Sequence, residues 1–212
     1  MIERPILFST SMVKKILSDE KTQTRRILLV PWKGNKKTLP YEPYFIEEDG
    51  IMYFQDEYGD YHKVKDAYKC PYGRCGDLLW VKETWRIWES ATFGSISGEP
   101  LDPDIIKGSL KNFEEEFLKS RPIEYLADTN EEGPWRSSIF MPKWASRIKL
   151  RITDVDVQKI NDITDNDVCA EGFDSRDEFI KLWNNINEKS GYTFEKNNWV
   201  WVIKFKRILN NI

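Results

Sequence analysis

Arg147-Ile148-Lys149-Leu150-Arg151-Ile152-Thr153-Asp154-Val155-Asp156-Val157 is the stretch whose pattern settles the fold class. Ile148, Leu150 and Ile152 alternate with Arg147, Lys149 and Arg151, so one face is apolar and the other basic. That period of two predicts a half-buried β-strand. The apolar parity then moves to Val155 and Val157. A one-residue slip would turn every later side chain to the wrong face, so a β-bulge is expected near Thr153-Asp154.

Further strands read outward from this one. Trp199-Val200-Trp201-Val202-Ile203-Lys204-Phe205 is apolar on both faces at its start, which predicts a central strand. Leu78 to Trp88 reads as a strand carrying Trp80, Glu83 and Trp85, after a turn-rich loop from Cys70 to Asp77. Ile123 to Ala127 and Ile6-Leu7-Phe8 are shorter candidates. Residues 51 to 65 read as a hairpin, with its turn near Tyr58-Gly59-Asp60. Helices are few. Ser9-Thr10-Ser11 caps one at about 11 to 18, a charged one falls near 110 to 119, and a polar one begins at Thr164 with Asp165 and Asp167 in its first turn. Another runs from Asp177 to Ile186. Strands dominate and the helices are scattered, which suggests an α+β, barrel-like domain.

Composition narrows the class. The 212 residues fit one generous domain, and 40% hydrophobic with 14% aromatic residues supply a packed core. Nine tryptophans suit both cores and base-stacking platforms. The net charge of -3 hides a segregated distribution. Residues 47 to 60 are acidic, whereas 141 to 151 hold Lys143, Arg147, Lys149 and Arg151 with no acid. A basic segment of this kind is either a solvated face or a phosphate patch. Three cysteines, an odd number, argue for a reducing compartment. With one histidine, His62, in a strand-like setting, the ligands for a zinc site are too few. No signal peptide and no membrane-length apolar run is present, so the expectation is a cytoplasmic protein with no membrane partner, metal or cofactor.

Chemistry concentrates in Lys21-Thr22-Gln23-Thr24-Arg25-Arg26. An amine and a hydroxyl three residues apart can face each other where a helix ends. A hydroxyl beside a basic amine is the minimum for a lysine-activated nucleophile, and Arg25 and Arg26 supply anion recognition. An exposed helix end running into a polar strand accounts for the same residues without chemistry.

Pro5-Ile6-Leu7-Phe8-Ser9 together with Lys21 to Arg26 resembles the N-terminal signature of ASCH domains, small barrels related to the PUA RNA-binding domain. Gly76-Asp77-Leu78-Leu79-Trp80-Val81 is similar to their Gly-Asp strand entry. Ile163-Thr164 through Glu171-Gly172 is similar to their helix after the long strand, and Trp201 to Phe205 to their closing strand. The resemblance covers roughly 1 to 27, 70 to 85 and 145 to 207. Long phage and prophage members share inserts at about 28 to 69 and 86 to 145. It implies a single ASCH-like domain over 1 to 212, a curved PUA-like barrel with flanking helices and two inserts.

Small bacterial ASCH proteins include amidohydrolases that remove the acetyl group from 4-acetylcytidine. Their working lysine, threonine and glutamate map onto Lys21, Thr24 and Glu171, and an arginine of the same motif onto Arg26. The resemblance therefore implies hydrolysis of an acylated base. Thr24 attacks with Lys21 as base, or Lys21 and Glu171 activate a water that Thr24 positions. A lysine at its ordinary pKa of about 10.4 is charged at neutral pH, so burial or the arginines must lower it. Read on its own, Glu171 is a helix carboxylate before a capping glycine. Arg25, Arg26, Glu83, Trp85, Tyr125 and Asp128, with Trp135, are candidates for binding the substrate, since aromatic planes stack on pyrimidines and acids accept from exocyclic amines. Partners expected are a nucleoside or single-stranded RNA. The rival functions are a non-catalytic nucleic-acid-binding module using Arg147, Lys149 and Arg151, and a metal-independent ribonuclease.

Overall fold

The computed structural model describes residues 1–29, 70–87, 122–129 and 131–209, together with the backbone of short strands between 30 and 63. In chain order the elements are β1 (Glu3–Leu7), α1 (Thr10–Leu17), β2 (Gln23–Ile27), β3 (Val30–Trp32), β4 (Asn35–Lys37), β5 (Glu47–Glu48), β6 (Ile51–Gln55), β7 (Tyr61–Lys63), β8 (Leu78–Lys82), β9 (Trp85–Ile87), β10 (Ile123–Tyr125), β11 (Lys149–Lys159), α2 (Asp165–Ala170), α3 (Arg176–Asn187) and β12 (Trp199–Ile208). Among the described residues no helix is long and apolar enough to cross a membrane.

The main sheet has the order β1-β8-β11-β12-β2. β1 runs parallel to β8, and the other neighbours are antiparallel. The long strand and the apolar C-terminal strand pair along their whole length, Lys149 opposite Ile208 through Lys159 opposite Trp199. The expected bulge is present, as a register shift between Ile152 and Asp154. It restores Val157 to the core face that Leu150 and Ile152 share. β12 is central, between β11 and β2.

Two cores flank the sheet. On one face Ile6, Leu79, Val81, Leu150, Ile152 and Ile203 pack with Val13 and Ile16 of α1. Ser9 caps that helix, its hydroxyl accepting from the Met12 amide. Burying Val13 and Ile16 contributes about 1.5–3 kcal/mol each. On the other face Val200 and Val202 pack against Val168 of α2 and Phe179 and Trp183 of α3. The molecule is thus a mixed α+β structure. β1 and β2 are the two ends of the sheet, and among the described residues no strand pairing joins them to close a barrel.

Several sequence boundaries shift. The single strand expected from Leu78 is two strands broken at Glu83-Thr84. β8 stays in the main sheet, while β9 leaves to pair with β10. The Glu83 amide meets the Met141 sulfur in place of a strand partner. The strand expected at 123 to 127 ends at Tyr125, in a turn that includes Asp128. Arg147 lies ahead of β11, not within it. The hairpin forms, with Phe54 opposite His62. Its turn at 58 to 60, Trp88 and the helix expected near 110 to 119 lie outside the described residues.

Candidate active site

Lys21 and Thr24 do not share a helical turn. α1 stops at Leu17, and Asp19 takes a left-handed φ of 59°. The chain folds back so that the Lys21 amide donates to the Lys15 carbonyl at 3.0 Å. The Thr22 amide then donates to the Ala170 carbonyl at 2.8 Å, tying the turn to the end of α2. Thr24 sits in β2, opposite Ile203. The sheet edge, rather than a helix, places these side chains.

Glu171 arrives from the other side. Thr164 and Asp167 form a capping box at the start of α2, each side chain bonding the other's backbone N–H. The helix ends at Glu171 because Gly172 adopts φ +85°, with the Gly172 amide donating to the Cys169 carbonyl and Phe173 to Val168. A Cβ on Gly172 would sit 3.3 Å from the Cβ atoms of both Lys15 and Lys21. The missing side chain lets the glutamate approach the lysine.

Lys21 is 3% exposed and Glu171 3%. The Lys21 Nζ donates to Glu171 Oε2 at 2.7 Å and to the Glu171 carbonyl at 2.7 Å. Arg25 holds the second carboxylate oxygen, Nη1 to Oε1 at 3.1 Å, and reaches Asp167 Oδ2 from Nη2 at 3.2 Å. The Gln158 amide oxygen, in the orientation that satisfies its surroundings, accepts from Arg25 Nη2 and Nε at 2.6 and 2.9 Å. Gln23 Nε2 donates to the Asp167 carboxylate at 3.0 Å. Burial raises the Asp167 carboxyl, but the Thr164 amide, Gln23, the Thr164 hydroxyl and Arg25 outweigh it and hold it below the ordinary range. Burial pushes the Lys21 ammonium pKa down; Glu171 opposes the shift, Arg26 and Arg25 assist it, and the net direction is downward.

The two arginines divide the work. Arg25 is spent on carboxylates and Gln158. Arg26 lies on the opposite face of β2, its Nη2 donating to the Leu7 carbonyl at 2.6 Å and its guanidinium 5.2 Å from the centre of the Phe8 ring. Its Nε is buried and, among the described residues, has no hydrogen-bond partner. Thr24 is buried, and its hydroxyl makes no hydrogen bond among the described residues. Both arginines, Lys21, Thr24 and Glu171 line one cavity of about 120 Å³, whose other wall includes Phe8 and Phe173. An apolar cavity of about 150 Å³ just admits benzene, so this smaller, polar-lined space suits a group the size of a small acyl.

The remaining candidates form a separate cluster. Arg147 forks onto Glu83, Nε to Oε1 at 3.0 Å and Nη2 to Oε2 at 3.1 Å, and its Nη2 reaches Asp128 at 2.9 Å. Its guanidinium lies 3.9 Å from the centre of the Tyr125 ring, and the Tyr125 hydroxyl donates to the Ala145 carbonyl. Burial raises the Glu83 carboxyl, against the pull of Arg147, and lifts the Tyr125 phenol to about 12. Trp85 packs edge-on against Trp144, and Trp135 lies under Arg86 at 4.3 Å. Arg147 was expected to meet phosphate; its charge is committed to two carboxylates instead. Lys149 and Arg151 do lie on the outward face of β11. The Phe8 amide bonds the Lys82 carbonyl, so this cluster begins one residue beyond the strand pair that delivers Phe8 to the cavity.

Sequence reasoning missed Gln23, Gln158 and Phe8. Gln23 stood inside the six-residue motif. Gln158 had no signal, because only the β11–β12 register brings it to Arg25.

No family model matches the chain, and no curated protein does. Among solved structures it is similar to the crystal structure of protein EF3133 from Enterococcus faecalis V583, of family DUF984, at 10% identity and a TM-score of 0.40, covering 98% of this chain and 80% of that one. A likeness of that size carries no argument, and the chemistry of the site rests on its own geometry.

Proposed function

We propose that this chain is an ASCH-like, PUA-like barrel protein that hydrolyses an amide on a nucleobase, removing an acyl group from the exocyclic amine of a cytidine such as 4-acetylcytidine. The observation that carries the reading is the convergence of a buried Lys21–Glu171 pair and a free Thr24 hydroxyl on one small cavity.

Both hydrogen bonds of Lys21 go to acceptors on Glu171. A neutral amine has two N–H groups, so this arrangement satisfies it and leaves its lone pair to accept a proton. With Lys21 neutral, Arg25 and Arg26 balance Glu171 and Asp167. In the first step the Thr24 oxygen bonds to the acyl carbon while its proton passes to Lys21, and the carbonyl electron pair moves onto oxygen. The unpaired Arg26 Nε–H receives that oxyanion. The C–N bond then breaks and the departing amine takes the proton from Lys21. A water, giving its proton to Lys21, attacks the carbonyl carbon of the acyl-threonine; the C–O bond to Thr24 then breaks, the Thr24 oxygen takes the proton back from Lys21, and the carboxylic acid leaves with both side chains restored. Arg25 keeps Glu171 aimed throughout.

A panel of acylated and unmodified nucleosides, incubated with the protein and read by mass, tests this. Loss of the acyl group from the N4-acylated cytidine alone is expected. An unchanged panel would remove the hydrolase reading.

A further inference from the structure

A guanidinium meets a carboxylate most strongly as a fork, two parallel N–H groups on two oxygens. Arg147 does so in this molecule, Nε to Glu83 Oε1 at 3.0 Å and Nη2 to Glu83 Oε2 at 3.1 Å. Arg25 does not fork onto Glu171. It gives that carboxylate one bond only, Nη1 to Oε1 at 3.1 Å. The other oxygen, Oε2, is left to Lys21 Nζ at 2.7 Å. A fork from Arg25 would compete for the oxygen that Lys21 uses.

What withholds the fork is the other edge of the guanidinium. Nε and Nη2, the pair that Arg147 uses on Glu83, both donate to the amide oxygen of Gln158, at 2.9 and 2.6 Å. Nη2 also reaches Asp167 Oδ2 at 3.2 Å. The register explains the meeting. Gln158 of β11 is opposite Val200, and Arg25 of β2 is opposite Val202. Paired residues share a face and so do residues two apart, so Gln158 and Arg25 stand on one face of the sheet, on either side of β12. The Arg25 side chain is 1% exposed, so bulk water does not compete for these N–H groups.

The residue type matters as well as its reach. A neutral amide oxygen fills the edge without adding charge. A glutamate there would take the fork, as Glu83 does from Arg147, and would offset the charge of Arg25. The charged groups acting on Lys21 are Glu171, which favours its proton, and Arg26 and Arg25, which oppose it.

We propose that Gln158 is a positioning residue: by occupying the Nε–Nη2 edge of Arg25 it reserves Glu171 Oε2 for Lys21. Gln158 is not among the residues lining the cavity, so it acts through Arg25 rather than on a substrate. The loss of turnover expected from its removal rests on the hydrolase reading; its effect on the Lys21 proton does not.

Two variants separate position from charge. Gln158→Leu empties the edge, and Gln158→Glu fills it with a fork. For both and for wild type, kcat and KM on an N4-acylated cytidine are measured against pH, with circular dichroism and urea unfolding confirming the fold. In parallel, Lys21 is titrated by NMR in protein carrying ¹³C at the lysine ε carbon, its signal identified by its loss in Lys21→Met. Gln158→Leu is expected to lower the plateau kcat by about 10²-fold with KM unchanged, because the carboxylate is misplaced and the cavity is not. Gln158→Glu is expected to keep the wild-type plateau and to move the midpoints of the pH–rate profile and of the Lys21 titration up by about one unit. A wild-type plateau in Gln158→Leu, or a Lys21 midpoint unmoved in Gln158→Glu, would overturn the assignment. So would activity lost in both variants in step with stability and with neither midpoint shifted, which would make Gln158 a structural residue only. Where Gln158→Leu does not fold, Gln158→Glu decides alone. If wild type turns over no acylated cytidine, the hydrolase reading falls and the Lys21 titration in Gln158→Glu decides this inference by itself.

Discussion

Lys21 is held by two acceptors of a single residue, and Glu171 is held in turn by Arg25. The sense of the pH dependence follows. Burial is the largest influence on Lys21 and places its pKa below the ordinary lysine value of 10.5. Catalysis by the neutral amine therefore rises with pH through that lowered pKa and levels off above it, and kcat/KM measured against pH on the acylated cytidine checks this. The linked stability runs the same way. Between the lowered pKa and the unfolded value, the unfolded chain binds a proton that the folded site does not, so stability rises with pH across that window. A rate that fell with rising pH over this window would contradict a neutral base. The arginine next door behaves differently. Arg25→Met leaves Glu171 and Asp167 without their buried counter-charge and is expected to cost about 3–5 kcal/mol in urea unfolding. Lys21→Met leaves Glu171 paired with Arg25 and costs about 1–3 kcal/mol. The sequence named both residues, but it could not say which one held the fold and which stood free for chemistry. That division depends on the turn after α1, which holds Lys21 ahead of β2, and on Glu171, whose carboxylate the fold brings to both Lys21 and Arg25.

At the scale of elements, the end of α2 is the critical join. The helix start was legible from Thr164 with Asp165 and Asp167 in the first turn, and its end from the capping glycine Gly172, whereas the reciprocal capping box is seen only in the structure. The sequence did not show that the stop is also a close approach, since only the packed turn after α1 brings Lys15 and Lys21 against it. Gly172→Ala forces a left-handed φ on a residue with a side chain, at about 1–2 kcal/mol, and drives a methyl toward both lysines. Thermal unfolding is expected to show that loss, and kcat is expected to fall more than stability alone explains because Lys21 moves away from Glu171. Full activity in this variant would show that the Lys21 position is not critical. The long strand was readable from its period of two, its bulge from the switch of that parity, and the central C-terminal strand from its two apolar faces. The break at Glu83-Thr84 was not. Trp80, Glu83 and Trp85 suit one continuous strand by pattern, and the Arg147 fork that takes Glu83 out of line comes from a distant segment.

Across the whole molecule, one sheet supports two different surfaces. Its β2 edge, flanked by α1 and α3, lines a small cavity. On its outer face Lys149, Arg151, Lys204 and Lys206 lie side by side. The segregated charge in the sequence announced such a face, but it placed the face on one strand, whereas the register spreads it over two. The central claim is that Lys21, Thr24 and Glu171 act as one catalytic unit. Its most direct test is kcat/KM for an N4-acylated cytidine in wild type, Lys21→Ala, Thr24→Ala and Glu171→Gln, with circular dichroism and urea unfolding confirming that each variant is folded. The account predicts that each single variant loses about 10²–10⁴-fold and that Lys21→Ala with Thr24→Ala loses no more than the worse single variant, because residues that act as a unit are not additive. A folded Lys21→Ala or Thr24→Ala enzyme turning over at the wild-type rate would contradict it.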